Sequence, residues 1–257
     1  MSENFQPNQE SSFAEEVKPI PFIDKLTGIF IAPSEVFENL VKAKPRVIDW
    51  LVPIVLLVVL AILSNFLKFN DEKIKDSLMI FQEQRIDKLV EEGKMTEEQA
   101  EVAKERIAEF GRAQQIFSSV GVLIGVPIVF LIVSLVYFLL GRLFLKGEVE
   151  FMTIFSIYSL SSLISSVGII VSTILAFLTG SFFASASPAI FMEVSTSKVY
   201  ILASKIEIFT IWQLAVFAVG MAKAFNKNYT SSFLVVFGAW AVWVVLSLFV
   251  PFFRWLI

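Results

Sequence analysis

Cysteine and histidine are both absent from the 257 residues of this sequence. Without cysteine there are no disulfides and no thiolate metal ligands, and without histidine there is no imidazole ligand or base. Charged residues are scarce, at 18%, whereas soluble domains usually contain about 25%. Apolar residues reach 56%. A soluble fold of this length could not bury all of them, so we expect lipid to cover much of the chain.

Long stretches without charge predict where the chain crosses the bilayer. A helix needs about 20 apolar residues to cross a hydrocarbon core of about 30 Å. Five stretches meet or approach this length: residues 47–67, 116–145, 154–178, 208–225 and 233–253. The segment 179–206 contains a shorter apolar stretch interrupted by Pro188, so we predict an interfacial or re-entrant loop there.

Two segments precede the first crossing. Residues 1–18 are polar and are predicted to be disordered. In residues 19–46 the apolar side chains recur at three-to-four spacing, which predicts two short amphipathic helices. Pro33 ends the first helix, and the hydroxyl of Ser34 can cap the second. We expect this pair to lie in the headgroup plane; packing on the hairpin described next is an open alternative.

Residues 68–115 form a densely charged insert, with nine basic and twelve acidic side chains. Gly93 breaks the helical pattern, and Thr96 with Gln99 forms a capping box, so a second helix is predicted to begin there. The apolar spacing in both arms predicts an antiparallel helical hairpin outside the membrane, closed by a seam of Ile74, Leu78, Phe81 and Leu89 against Ala100, Ala103, Ile107 and Phe110.

The predicted fold class is therefore all-α. We expect a polytopic membrane helix bundle with five transmembrane helices and an extramembrane helical hairpin between the first and the second.

The third span is rich in small hydroxyl side chains. They lie on two helical faces: Ser159, Ser162 and Ser166 on one, and Ser161, Ser165 and Ser172 on the other. Small residues allow helices to approach closely and to hydrogen bond across the interface. We therefore favour helix packing for these serines, with a polar conduit as the alternative.

Ionisable groups inside a span would mark a functional site. Asp49, Glu207 and Lys223 are the ionisable residues closest to this description. Each lies at a predicted span end, where we expect water to reach it. No predicted span places a carboxylate or a base at the bilayer midplane, and the sequence carries no recognisable phosphate loop or carboxylate pair. We predict that the protein is not an enzyme, has no catalytic residue, cofactor or metal site, and binds no nucleic acid.

Three segments resemble a known family. They are PSEVFENL at residues 33–40, PRVIDWLVP at residues 45–53 and FTIWQLAVFAVGMAKAF at residues 209–225. In this order they are similar to the Yip domain family, over residues 20–257 with the hairpin as an insert. The resemblance implies a five-span integral membrane protein, from a family named for eukaryotic members that bind Rab-type GTPases, with many bacterial relatives. This chain lacks the Tyr- and Gly-rich N-terminal motifs of the eukaryotic group, so the resemblance implies a bacterial-type member and does not carry GTPase binding.

The fourth span carries the most specific part of the resemblance. Its pattern is an aromatic residue, a tryptophan three residues later and a glycine two turns further on, here Phe209, Trp212 and Gly220. Trp212 and Gln213 would lie in the first turns of the span, as an interfacial anchor and a helix-to-helix contact. Together with Ser159, Ser162 and Ser166, these are the candidate interaction or packing residues.

Two functions of different classes fit these observations. The first is a non-catalytic membrane organiser or adaptor, which binds protein partners or shapes lipid through the N-terminal helices and the hairpin. The alternative is a small transporter or channel for a neutral or lipid-like solute. We favour the organiser because transporters usually need a polar site at mid-membrane depth and internal repeats. Expected partners are membrane lipid and unidentified proteins, and homo-oligomerisation stays open.

The distribution of basic residues predicts the orientation. An N-terminus in the cytoplasm puts nine basic residues of short segments inside and three outside, as the positive-inside rule favours. The hairpin is set aside in this count because its basic residues alternate with acids. We expect an integral protein of the bacterial inner membrane.

Overall fold

The computed structural model describes residues 17–109 and 111–249. Within these ranges the secondary structure is helical and contains no strand, which confirms the predicted all-α class. The helices are α1 (Phe22–Ile31), α2 (Pro33–Ala43), α3 (Val47–Phe69), α4 (Glu72–Glu91), α5 (Glu97–Glu109), α6 (Gly111–Leu140), α7 (Phe151–Ser161), α8 (Leu163–Thr179), α9 (Lys198–Lys205), α10 (Ile208–Ala224) and α11 (Tyr229–Phe249). Most of the predicted disordered tail, Phe110 of the predicted seam and residues 250–253 of the predicted fifth span lie outside the described residues.

In the part of the chain that the structure describes, four helical segments are long and apolar enough to cross a membrane: Val47–Phe69, Gln115–Leu145, Phe151–Thr179 and Tyr229–Phe249. The second includes a π-helical turn, Gly141–Leu145, that continues α6. The third consists of α7 and α8, which meet at Ser162. A fifth crossing exists if α9 and α10, which are bent by 51° relative to each other, form one broken span. The structure therefore confirms a bundle of four to five membrane-spanning helices.

The turn of the hairpin forms from the residues that predicted it. Gly93 has φ +67°, a conformation that glycine adopts without strain. The N–H of Lys94 donates to the carbonyl of Leu89 at 2.9 Å, which closes the end of α4. The N–H of Gln99 donates to the hydroxyl of Thr96 at 3.2 Å, and the N–H of Thr96 donates to the side chain of Gln99 at 3.1 Å. These two bonds are the predicted capping box.

The first arm of the hairpin docks against the connection between α8 and α9. Ile74 is 1% exposed and packs with Ala176 and Ala184. The rings of Phe81 and Phe183 are 4.6 Å apart. The prediction that Ile74 and Phe81 belong to the seam with α5 is thus wrong, because helical spacing identifies a buried face without showing which neighbour covers it.

Polar contacts also hold α4 to the same connection. The N–H of Phe182 donates to the hydroxyl of Ser77 at 2.8 Å. Lys88 donates to the carbonyl and the hydroxyl of Thr196 at 3.4 and 3.3 Å. The hairpin is therefore anchored to one end of the bundle along the length of α4.

The N-terminal helices pack on the other end of the bundle. Val36, Phe37 and Leu40 of α2 are buried in the main core, which they share with α7 and α10. Gly28 of α1 lies so close to Val36 that an added Cβ would be 2.5 Å from that side chain. The alternative that this pair packs on the hairpin is wrong. Ile23 and Ile31 of α1 remain exposed. That this helix pair lies in the headgroup plane stays a prediction.

Helix α7 is at the centre of the bundle. Most of its residues from Thr153 to Ser161 are buried, on every face of the helix. It packs against α3, α6 and α10. A helix that is buried on all sides is typical of the core of a bundle. Helix α7 therefore holds Ser159, one of the candidate serines of the third span, inside the bundle.

Candidate functional site

The candidate glycine and aromatic residues of α10 form its contact with the third span. An added Cβ at Gly220 would lie 2.2 Å from Cγ2 of Ile157 in α7 and 3.1 Å from the ring of Phe37 in α2. An added Cβ at Gly168 in α8 would lie 2.9 Å from the Cβ of Phe209. The two glycines allow α10 to approach close to the central helices.

Gln213 provides the polar contact across the same interface. Its Oε1 accepts a hydrogen bond from the hydroxyl of Ser165 in α8. Gln213 therefore links α10 to the second half of the third span.

The candidate serines of α7 and α8 are buried and bond within their own span. Ser159, Ser162 and Ser166 donate to the carbonyls of Phe155, Ser159 and Ser162, at 2.8, 2.6 and 3.3 Å. They lie in line with Phe155 and Thr173, which contact Trp50 and Ser64 of α3. The Ser165 face meets α10 instead. The two hydroxyl faces thus meet two different helices.

Helix α10 is shorter than the third span against which it packs. Phe209, the second residue of α10, contacts Gly168, which lies 17 residues (168 − 151) along the 29-residue third span. At 1.5 Å per residue this is about 26 Å from one end of that span and about 17 Å from the other. Helix α10 therefore starts partway along the third span, and α9 covers the remaining length if the two helices form one broken span.

The break between α9 and α10 contains two ionisable residues. The carboxylate of Glu207 accepts hydrogen bonds from the N–H and the hydroxyl of Thr210, at 2.6 and 2.9 Å, and so caps α10. Lys205 lies 4.3 Å above the ring of Trp243. Glu207 is the cap of α10, and its place at the end of a span stays a prediction.

Trp212 lies in the second turn of α10. Its ring lies 5.8 Å from that of Phe30 in α1 and 6.4 Å from that of Phe209, and the residue is 38% exposed. The contact of Trp212 with α1 is therefore a packing contact, and its role as an interfacial anchor stays a prediction.

A buried ion pair that was not predicted from the sequence lies where α1 meets α3. Nζ of Lys25 donates to Oδ1 of Asp49 at 2.8 Å, and both side chains are 0% exposed. Oδ2 of Asp49 accepts the N–H of Arg46 at 2.8 Å. Burial lowers the pKa of Lys25, and the hydrogen bond with Asp49 opposes that shift. The expectation that water reaches Asp49 is wrong, because Lys25 covers it.

Neither ion-pair partner carries a sequence signal strong enough to predict the contact. Lys25 occupies one position of a short amphipathic helix, and Asp49 occupies the first turn of α3, where acidic residues are favoured in any helix.

Within residues 17–109 and 111–249, no three acidic side chains are placed to hold a metal ion.

Comparison with known proteins identifies one family. The family model described as the Yip1 domain matches residues 27–250, which are 224 of the 257 residues (250 − 27 + 1). The match extends from α1 to the end of α11 and includes the hairpin. No curated protein and no solved structure matches the chain.

Proposed function

The chain belongs to the Yip1 domain family, and from that premise we propose that it is a non-catalytic organiser or adaptor of the bacterial inner membrane. It holds protein partners, or shapes lipid, at a fixed position on the membrane. The bacterial placement is supported by the absence of the eukaryotic N-terminal motifs. The main observation that supports the proposal is the hairpin, which is anchored to one end of the bundle.

The anchored hairpin presents one free helix face. Helix α4 is held by Phe183, by the backbone of Phe182 and by Thr196, while α5 packs on α4. The outward face of α5 carries the exposed residues Glu98, Glu101 and Glu105, which recur at three-to-four spacing. A rigid acidic helix face outside the bundle suits a basic surface of a partner protein.

Reversing the charge of this face is expected to remove partner binding. We would compare the parent with the variant Glu98→Lys/Glu101→Lys/Glu105→Lys, using cross-linking in native membranes followed by affinity capture and quantitative mass spectrometry. Proteins that are enriched with the parent should fall at least several-fold with the variant, since like charges across an interface are strongly unfavourable.

The control places the same change at the opposite end of the bundle. Glu35 and Glu148 are exposed there, and Glu35→Lys/Glu148→Lys should leave capture unchanged. Equal partner recovery from the parent and the α5 variant would reject the hairpin as the docking surface.

The transporter alternative has one specific observation in its favour. The fourth span is broken and carries Glu207 and Lys205 at the break, and discontinuous helices often form the binding sites of secondary transporters. The buried serines of the third span oppose it, because they hydrogen bond to their own helix and face packed neighbours rather than a polar path.

Solute flux distinguishes the two functions. We expect vesicles containing the parent to show no uptake of neutral solutes and no lipid scrambling above empty vesicles, and the same for Ser159→Ala/Ser162→Ala/Ser166→Ala. The triple variant should remain folded, because each such hydrogen bond contributes on average about 0.6 kcal/mol in a membrane bundle. A strong flux with the parent that this variant abolishes would establish a transporter instead.

The proposed orientation can be tested by labelling, since the chain has no native cysteine. The exposed residues Glu35, in α2, and Lys94, in the hairpin turn, lie on opposite sides of α3 in the chain. In intact cells, a membrane-impermeant maleimide should label Lys94→Cys and should reach Glu35→Cys after the membrane is opened. Labelling of both, or of Glu35→Cys alone, in intact cells would contradict a cytoplasmic N-terminus.

A further inference from the structure

A polar cleft opens at the end of the bundle opposite the hairpin. It lies between α2 and the turn that joins α10 to α11, and its volume is about 570 Å³, within the usual range for small-ligand sites. Its polar lining consists of Glu38, Lys42, Lys223, Asn226, Lys227, Asn228 and Tyr229. Three of these residues are lysines and one is acidic, so the cleft has a net charge of +2 (3 − 1).

The turn that forms one wall of this cleft has a fixed geometry. Asn226 has φ +50°, and the N–H of Lys227 donates to the carbonyl of Ala222 at 2.9 Å, which terminates α10. Oδ1 of Asn228 accepts the N–H of Ser231 at 2.8 Å and caps α11. Lys227 is therefore held beside the start of α11, where the helix dipole adds partial positive charge.

Glu38 organises the lysines on the opposite wall. Its carboxylate accepts hydrogen bonds from Lys42 at 2.7 Å and from Lys223 at 2.9 Å. These two lysines lower the pKa of Glu38 to about 2. One carboxylate shared by two lysines leaves excess positive charge, which an anionic group in the cleft would balance.

A shallow apolar groove, lined by residues of α11 alone, continues from the cleft. Its volume is about 630 Å³, and its lining consists of Tyr229, Thr230, Phe233, Leu234, Phe237 and Gly238. Tyr229 lines both spaces. An added Cβ at Gly238 would have no protein atom within 4 Å, so this end of the groove is open.

The groove has the depth of one leaflet. Tyr229 and Gly238 are nine residues apart in one helix (238 − 229), which is about 14 Å at 1.5 Å per residue. Half of a hydrocarbon core of about 30 Å is about 15 Å. A polar cleft of positive charge above an apolar groove of this length matches the headgroup and one acyl chain of a phospholipid.

We propose that the cleft and the groove together bind one anionic glycerophospholipid. The phosphate lies among Lys42, Lys223 and Lys227, and an acyl chain lies along Phe233, Phe237 and Gly238. This site goes beyond the organiser function and does not depend on the hairpin, which is at the other end of the bundle.

The test uses the full chain in detergent micelles and one variant for each half of the site. Lys227→Gln removes a headgroup charge, and Gly238→Leu fills the groove. Gly121→Leu is the matched control, because Gly121 is also an exposed glycine of a span with no protein atom near its added Cβ. Binding of dioleoylphosphatidylglycerol, dioleoylphosphatidylcholine and glycerol 3-phosphate is measured by native mass spectrometry, and circular dichroism checks that each variant is folded.

We expect the parent to prefer phosphatidylglycerol over phosphatidylcholine. Lys227→Gln should weaken phosphatidylglycerol binding about fivefold, the usual contribution of one basic residue to anionic lipid binding. Gly238→Leu should weaken it by at least a similar factor without changing any binding of glycerol 3-phosphate, and Gly121→Leu should match the parent.

Two results would overturn the assignment. Equal binding of the two lipids, or no effect of Lys227→Gln, would mean that the cleft does not select anionic headgroups. Glycerol 3-phosphate binding as tightly as phosphatidylglycerol, with no effect of Gly238→Leu, would identify a site for a soluble anion instead of a lipid.

Discussion

Replacing Lys25 with Met should lower the free energy of unfolding by about 3–5 kcal/mol, the usual cost of removing one partner from a buried ion pair. Met has nearly the length of Lys, so packing is preserved while the carboxylate of Asp49 loses the donor at 2.8 Å. Asp49 would keep the N–H of Arg46, at 2.8 Å from Oδ2, and the guanidinium of Arg46, at 3.8 Å from Oδ1, so we expect a loss at the lower end of this range. Equilibrium unfolding of the purified protein in mixed detergent and SDS micelles, followed by circular dichroism, would measure the change.

The double variant Lys25→Met/Asp49→Asn separates charge from packing. It should be more stable than Lys25→Met alone, because no unpaired charge remains buried and Asn can still accept the N–H of Arg46. Lys44→Met is the control: Lys44 is 4.0 Å from Glu150, both side chains are exposed, and such a pair contributes less than about 1 kcal/mol. Similar losses for Lys25→Met and Lys44→Met would show that the buried pair does not stabilise the fold.

Replacing Gly220 with Val should destabilise the protein by about 3 kcal/mol, at the upper end of the usual range for overfilling a packed core. The new Cβ would be 2.2 Å from the side chain of Ile157 and 3.1 Å from Phe37. Both neighbours are fully buried, so neither can move without displacing others. The same unfolding measurement in mixed micelles detects the loss.

Two further variants identify the cause of that loss. Gly121→Val introduces the same side chain into another span where nothing lies within 4 Å of the added Cβ, so it should change stability by less than about 1 kcal/mol. Ile157→Ala/Gly220→Val removes the closest clashing atom and should recover part of the loss relative to the sum of the single variants. Additive effects of the two substitutions would mean that this contact does not limit the approach of α10.

Much of the local structure follows from short stretches of sequence. The break at Gly93 and the capping box at Thr96 were predictable because turn and cap geometry depends on a few adjacent residues. The two hydroxyl faces of the third span were also predictable, since helical periodicity determines which residues share a side. That one face meets α3 and the other meets α10 could not be predicted, because spacing does not identify a neighbour.

The candidate residues of the fourth span show the same limit. Phe209, Gln213 and Gly220 all lie at contacts between α10 and the third span. Trp212 instead contacts Phe30 of α1, and the spacing of residues in the fourth span gave no sign of that neighbour.

The sequence by itself determined that this is an all-α membrane protein with a charged hairpin, because apolar stretches, caps and helical periods are properties of neighbouring residues. The tertiary structure alone decided that Lys25 pairs with Asp49, that α4 docks on the α8–α9 connection, and that Glu38 and Lys42 of α2 line the same cleft as Lys227. Each of these joins segments far apart in the chain or on separate helices. Their contact depends on how whole helices pack, and the spacing of residues along one helix does not report it.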